Sequence, residues 1–196
     1  MPGQEGGMAA ADDQTFVAVI QEYAPRLYRH LLRLLQDPQD AEDALQETFL
    51  KAYQHLGDFR GQARLSTWLY RIATNEALMQ LRRKNPTIFS LEALQGDDAY
   101  PDEILLNQWQ ILPEQAALSA EMRQVLERAV QRLSPALRVV FLLRDVEGFS
   151  TRETAEILGI SSDAVKTRLS RARLRLREAL ARYFQGSASQ RSEAAL

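Results

Sequence analysis

Residues 149–177, FSTRETAEILGISSDAVKTRLSRARLRLR, constrain the fold more than any other part of the chain, because they specify two helices, the turn between them and a cationic face. Ser150 followed three residues later by Glu153 is the pattern in which each side chain satisfies a backbone N–H left unpaired at a helix start. Ala155 is small enough to let a second helix cross closely, and Gly159 suits the positive φ of a sharp helix exit. Ser161 or Ser162 can cap the next helix. That helix places Val165, Leu169, Ala172 and Leu176 on one face and spreads Lys166, Arg168, Arg171, Arg173, Arg175 and Arg177 over the rest. A helix-turn-helix of this kind sets the N-terminal turns of its second helix in the DNA major groove while flanking cations hold phosphates. Alternating Arg and Leu at 173–177 also suits a strand fragment, and a basic amphipathic helix also suits a membrane surface or an acidic partner. The two caps and the glycine fall in register, which a solitary surface helix does not need.

Net charge adds a second constraint. The chain carries 24 Lys and Arg against 26 Asp and Glu, a formal charge of −2, whereas phosphate neutralisation makes proteins that bind DNA unaided basic as a rule. The cations gather at Arg82, Arg83 and Lys84 and along the C-terminal helix; the carboxylates gather in residues 37–47 and 92–103. This segregation predicts weak intrinsic affinity for DNA and a second, protein partner.

At 196 residues with 45% hydrophobic and 26% charged content, the chain suits one large or two small soluble domains. With no cysteine, a disulfide framework and thiolate zinc sites are excluded, which fits a reducing cytoplasm. No apolar run reaches the length of about 18 residues that membrane insertion needs. The opening MPGQEGGMAAADD lacks a cationic start and apolar core, so residues 1–12 are expected to be a disordered leader, with Met8 an alternative start. Catalytic signatures are missing: no glycine-rich phosphate loop, no G-x-S-x-G, no HExxH. His30 and His55 lack partners at metal-ligand spacing and are expected to be surface or half-buried residues. Asp97 and Asp98 fall in a segment with no pocket to tune them. The expectation is a protein with no enzyme activity, catalytic residue, cofactor or metal.

The periodicity predicts an all-α fold of two small helical domains joined by a flexible acidic linker. Residues 13–35 are helical, with Pro25 expected to open the second of two helices. Asp37 caps a helix with Pro38 in its first turn, and Ala41, Ala44, Leu45, Thr48, Phe49, Ala52 and Tyr53 form its expected buried stripe. Gly57 and Gly61 bracket a loop, and residues 66–84 resume a helix whose Arg82, Arg83 and Lys84 suit the C-terminal dipole. The first domain therefore covers residues 13–85. Residues 86–112 read as the linker, with a short helix at 104–111. Helices over 113–132, 135–146, 150–158 and 162–183 make a second domain over 113–184, and residues 185–196 are an expected disordered tail.

Three strings, DAEDALQETFLKAY (40–53), FRGQARLSTWLYRIATNEA (59–77) and LRVVFLLRDVEGFSTRETAEILGISSDAVKTRLSRAR (137–173), resemble in order and spacing the extracytoplasmic-function (ECF) sigma factors of the RNA polymerase sigma-70 family. The resemblance implies a transcription initiation subunit that keeps sigma regions 2 and 4. It places Asp43, Gln46 and Glu47 against the clamp coiled coil of core RNA polymerase. It assigns Phe59, Arg60, Arg64, Trp68, Arg71 and Asn75 to the minus-ten element, captured as single-stranded DNA, where base capture needs a π surface, polar edges and cations. Trp68 suits bracing the loop as well as touching a base, whereas Phe59 and Asn75 match pocket positions. Lys166, Thr167, Ser170 and Arg171 are implied to face the minus-thirty-five duplex, with Arg168 and Arg173 nearer phosphates. Ser170 stands where some relatives carry a bulky aromatic. The acidic linker is implied to thread toward the RNA exit path, or to serve as a plain tether.

The family also implies a cytoplasmic protein in a stress response, held by an anti-sigma factor. The rival reading of the residues is an autonomous dimeric helix-turn-helix regulator, which would protect half-sites about 10 bp apart or a multiple of that.

Overall fold

The computed structural model describes residues 5–58, 64–84, 86 and 120–193, and the side chains within 16–57, 64–84, 86 and 122–183. All regular structure among these residues is helical, and the chain divides into two units, Met1–Pro86 and Thr87–Leu196.

The first unit packs α1 (Glu5–Leu35), α2 (Pro38–Gln54) and α3 (Leu65–Lys84) against one another, with a 3-10 turn at Leu56–Asp58. Its core is built from Leu27, Leu31 and Leu34 of α1, Ala41, Ala44 and Ala52 of α2, and Leu69, Ala73 and Ala77 of α3, all fully buried. The alanines let the backbones approach, and each buried leucine contributes about 1.5–3 kcal/mol. Asp37 caps α2 as its residue type predicts, its carboxylate accepting from the Asp40 N–H at 3.0 Å.

Three expectations need correction here. Pro25 does not open a second helix; it sits inside a continuous α1. Proline withholds only the N–H that would bond to Gln21, and this exposed turn is held from both sides, by buried Phe16 before it and Leu27, His30 and Leu31 after it. Tyr53 is 52% exposed, its ring lying across Phe16 at 5.2 Å between centroids. Leu45 and Phe49 are only partly buried. His30 is wholly buried: Nε2 lies 3.2 Å from Thr74 Oγ1 and the ring meets Tyr70 edge-on at 5.1 Å. Burial, then the Arg33 charge, pushes its pKa down to about 3. Helical register placed this histidine on the leucine stripe of α1, which is the signal that its isolation in sequence concealed.

In the second unit, α4 (Ala120–Gln131), α5 (Pro135–Phe141), α6 (Thr151–Leu158) and α7 (Ser162–Glu193) gather around the buried Val139, Val140, Leu142, Leu143, Ile157, Val165, Ala172 and Leu176. A single π turn, Leu142–Val146, continues α5, and the Glu147 N–H bonds five residues back to the Leu142 carbonyl. Arg138 is buried because its guanidinium donates to the carbonyls of Gln131 (2.6 Å) and Leu133 (2.9 Å), groups that the end of α4 leaves without helical partners. The expected linker helix at 104–111 lies outside the described residues. α7 runs past Gln185, where the expected tail begins, to Glu193. Gly186 is the one poor helix former there, costing about 1 kcal/mol, and no proline stops propagation. α1 likewise begins at Glu5, inside the expected leader.

The Ser150 and Glu153 pair forms the reciprocal cap in full: Ser150 Oγ accepts from the Glu153 N–H (3.1 Å) and the Glu153 carboxylate accepts from the Ser150 N–H (2.8 Å). Gly159 adopts φ 64 as its place in the turn requires. Replacing Ser150 by Ala is expected to lower the stability of the second unit by about 1 kcal/mol in urea unfolding. For the first unit, the depressed His30 pKa means that the unfolded chain takes up a proton before the folded one as pH falls below about 6.5. Stability is complete above that pH and drops by up to about 1.4 kcal/mol per pH unit between 6.5 and 5. His30→Gln should flatten that slope, read from urea midpoints at pH 7 and pH 5.5.

Candidate nucleic-acid and polymerase interfaces

On α2, the turn spacing that buries Ala41, Ala44, Thr48 and Ala52 turns Asp43, Gln46 and Glu47 outward, and all three are exposed. Gln39 donates to Asp43 at 3.2 Å along the helix. Leu50 continues the same stripe and is 51% exposed. Sequence reasoning passed over Leu50, although its spacing of three from Glu47 sets it off the buried register. The result is an acidic surface with an apolar end, suited to a basic partner that also offers carbon.

The opposite face of α3 has another character. Arg64, Trp68, Arg71 and Asn75 follow at spacings of four, three and four, so they form one stripe diametrically away from buried Leu69, Tyr70, Ala73 and Ala77. Arg64, Arg71 and Asn75 are exposed and Trp68 is partly so. Phe59 and Arg60 lie outside the described residues. A row of cations, an indole and an amide offers stacking and phosphate contacts to a strand whose bases are unpaired.

Two ion pairs fix α2 against α3. Lys51 Nζ lies 2.5 Å from Glu76 Oε1, with the Glu76 side chain only 8% exposed. Farther along, Lys84 donates to Asp40, a bond that raises the lysine pKa. The pairs run antiparallel, 40 to 84 and 51 to 76, so the acidic and cationic stripes sit on one rigid unit. Neither pair was visible in sequence, since partners 25 and 44 residues apart leave no local signature.

α7 starts with Ser161 as cap, its Oγ accepting from the Ala164 N–H at 3.1 Å. Val165, Leu169, Ala172 and Leu176 are buried as their spacing predicts. Lys166 is exposed and pairs with Asp163 at 3.0 Å, while Thr167, Arg168 and Arg171 are half-buried. Burial, then the nearby Arg171 charge, lowers the Arg168 pKa. Two guanidiniums that repel each other favour an anion between them. Ser170 and Arg173 stand apart from this group. The Ser170 Oγ is turned into the protein with no hydrogen-bond partner among the described residues. Arg173 binds both carboxylate oxygens of Asp145, at 2.9 and 2.7 Å.

Two family models match the chain: Sigma-70 region 2 over residues 19–87 and Sigma-70, region 4 over residues 123–176. The ECF RNA polymerase sigma factor SigW of Bacillus subtilis is 32% identical over 169 residues, covering 86% of this chain and 90% of that one. This chain belongs to the ECF sigma factors. The RNA polymerase sigma-H factor of Pseudomonas aeruginosa is 34% identical over 176 residues, 86% of this chain and 88% of its own. Among solved structures, the sigma factor RpoE of Bartonella quintana, crystallised with the anti-sigma factor NepR, aligns with a TM-score of 0.63 at 27% identity, over 85% of this chain and 97% of that one. As an ECF sigma factor the protein directs promoter-specific initiation by RNA polymerase, and the autonomous dimeric regulator is not favoured. The region 2 match spans α2, α3 and α1 from Val19 onward; the region 4 match ends at Leu176, the last residue of the buried stripe on α7. No described helix is long and apolar enough to cross a membrane, and no described group of three or more His, Cys, Asp or Glu could hold a metal ion.

Proposed function

We propose that residues 13–85 form the module that docks on core polymerase and opens the minus-ten element, that residues 113–184 form the minus-thirty-five reader, and that 86–112 link them. The observation that carries this reading is the placement of two chemically opposite stripes, acidic on α2 and cationic-aromatic on α3, on helices tied by Lys51–Glu76 and Lys84–Asp40. Asp43, Gln46 and Glu47 meet basic residues of the polymerase clamp, with Leu50 adding apolar contact. Rim charges of this kind steer encounter and fix orientation more than they add affinity. Polymerase binding then presents Arg64, Trp68, Arg71 and Asn75, with Phe59 and Arg60 that precede them in sequence, to the non-template strand. Duplex opening follows from capture: each unstacked base held on an aromatic face recovers about 1–3 kcal/mol.

At the minus-thirty-five element, Lys166, Thr167 and Arg171 lie over base edges and Arg168 over a phosphate. Ser170 is assigned to the same surface by its position, its backbone rather than its inward hydroxyl nearing the duplex. The protein works in the cytoplasm, where polymerase acts, in a stress response. An anti-sigma factor restrains it by covering the polymerase-binding face; the solved complex of a relative with such a factor supports this.

Run-off transcription from a cognate promoter tests the whole reading. RNA is expected only when the purified chain and core polymerase are both present; RNA from neither combination, together with tight symmetric binding of duplex by the chain alone, would overturn it. Glu47→Lys should weaken core binding about 10-fold, measured by fluorescence titration, because a like charge then faces the clamp. Arg171→Ala should remove about 1–3 kcal/mol of discrimination at one guanine of the minus-thirty-five element, read from holoenzyme affinities on single-base promoter variants.

A further inference from the structure

Arg173 differs from the other cations of α7 in where its partner comes from. Lys166 pairs with Asp163 three residues before it, and Arg175 approaches Glu178 three residues after it at 3.8 Å; all four side chains are well exposed. Such pairs along one helix contribute only a few tenths of a kcal/mol and open readily to an incoming phosphate. Arg173 instead reaches Asp145, 28 residues earlier, in the π turn that follows α5. Both groups are mostly withdrawn from water, at 21% and 14% exposure. Nε and one Nη each donate to a separate carboxylate oxygen, the parallel two-bond geometry that a guanidinium uses on a phosphate.

Position matters as much as geometry. Lys166, Ser170, Arg173 and Arg177 follow at spacings of four, three and four, so Arg173 lies on one stripe with two of the residues assigned to the minus-thirty-five element. The carboxylate that holds it therefore sits beside the surface assigned to DNA. We infer that Asp145 acts as an internal phosphate mimic: it occupies the Arg173 guanidinium, fixes where that side chain lies, and withdraws one cation from sequence-independent contact with the DNA backbone. The inference rests on the assignment of α7 to duplex DNA. It makes Asp145 a positioning residue and Arg173 a strut, in place of the phosphate ligand that sequence position alone implies. The consequence is selectivity. A cation neutralised from within contributes nothing to non-specific duplex, so that discrimination rests on Lys166, Thr167 and Arg171.

The salt dependence of binding separates this role from a purely structural one. Each phosphate neutralised steepens the fall of log K against log salt by about 0.9. Full-length chain, alone on a labelled 30-bp duplex of scrambled sequence and as holoenzyme on promoter and scrambled DNA, would be titrated between 50 and 200 mM salt. Asp145→Asn releases Arg173 and is expected to raise the slope by about 0.9, so that the variant loses roughly 3- to 4-fold more affinity than the parent across that range. Its affinity for scrambled duplex at 50 mM should rise several-fold, and its preference for promoter over scrambled DNA should fall. The double variant D145N/R173Q, in which two amides can still pair, should return the slope to the parent value. Thermal melts establish that each variant is folded. An unchanged slope in D145N with weaker binding to both DNAs would overturn the inference and leave the pair as a fold strut only. If D145N does not fold, a slope in R173Q lower than the parent's by about 0.9 would overturn it instead, since it would make Arg173 a phosphate ligand in the parent, whereas an unchanged slope supports the masking. Arg171→Ala serves as the control: no loss of promoter affinity there means that the assignment of α7 has failed, whereas a loss there with an unaltered D145N slope means that only the masking has.

Discussion

The buried stripe of α7 decides what the second unit can present to anything outside it. Val165, Ala172 and Leu176 are sealed completely and Leu169 nearly so. Because burial of large aliphatic groups outweighs any single surface ion pair by severalfold, the rotation of the helix is set by carbon, and the cations take the positions that remain. Lys166 and Arg173 then fall to one flank of the stripe, Arg168 and Arg175 to the other, and Thr167 opposite it. The same logic governs the first unit, where alanines bring α2 close to α3 and so dictate that acid faces one way and the Arg64 to Asn75 stripe another.

Much of this was legible before any coordinate. Local chemistry reads well: Asp37, Ser150 with Glu153, and Gly159 each act within four residues of themselves, and each does what its type predicts. The buried face of α7 follows from periodicity alone. The failures share a physical origin in longer range. Pro25 is a helix breaker only where packing is weak, and here its flanks are held by Phe16 and Leu27. Tyr53 obeys the α2 period yet stays 52% exposed with its ring laid across Phe16. His30 and Arg173 take their character from partners 44 and 28 residues away. Arg173 in particular looks like any other arginine in a basic run until the turn that carries Asp145 is seen beside it.

Charge distribution makes sense of a sigma factor whose formal charge is −2. Cations cluster at the C-terminal end of α3, in Arg82, Arg83 and Lys84, and along α7, and several of these are matched by carboxylates within the same unit. A chain so balanced gains little from counterion release on its own. Affinity for a promoter must then come from more than net charge.

The π turn at Leu142–Val146 gives the link between α5 and α7 an unusual property. Relative to an uninterrupted α-helix it carries one surplus residue, and in helical phase one residue is worth about 100°. The insertion therefore works as an angular shim: without it, whatever follows would point about a quarter of the way round the axis from its present bearing. A carboxylate aimed at a particular guanidinium tolerates no such swing, so the length of this turn, counted to the single residue, is itself a specification of where Asp145 meets Arg173.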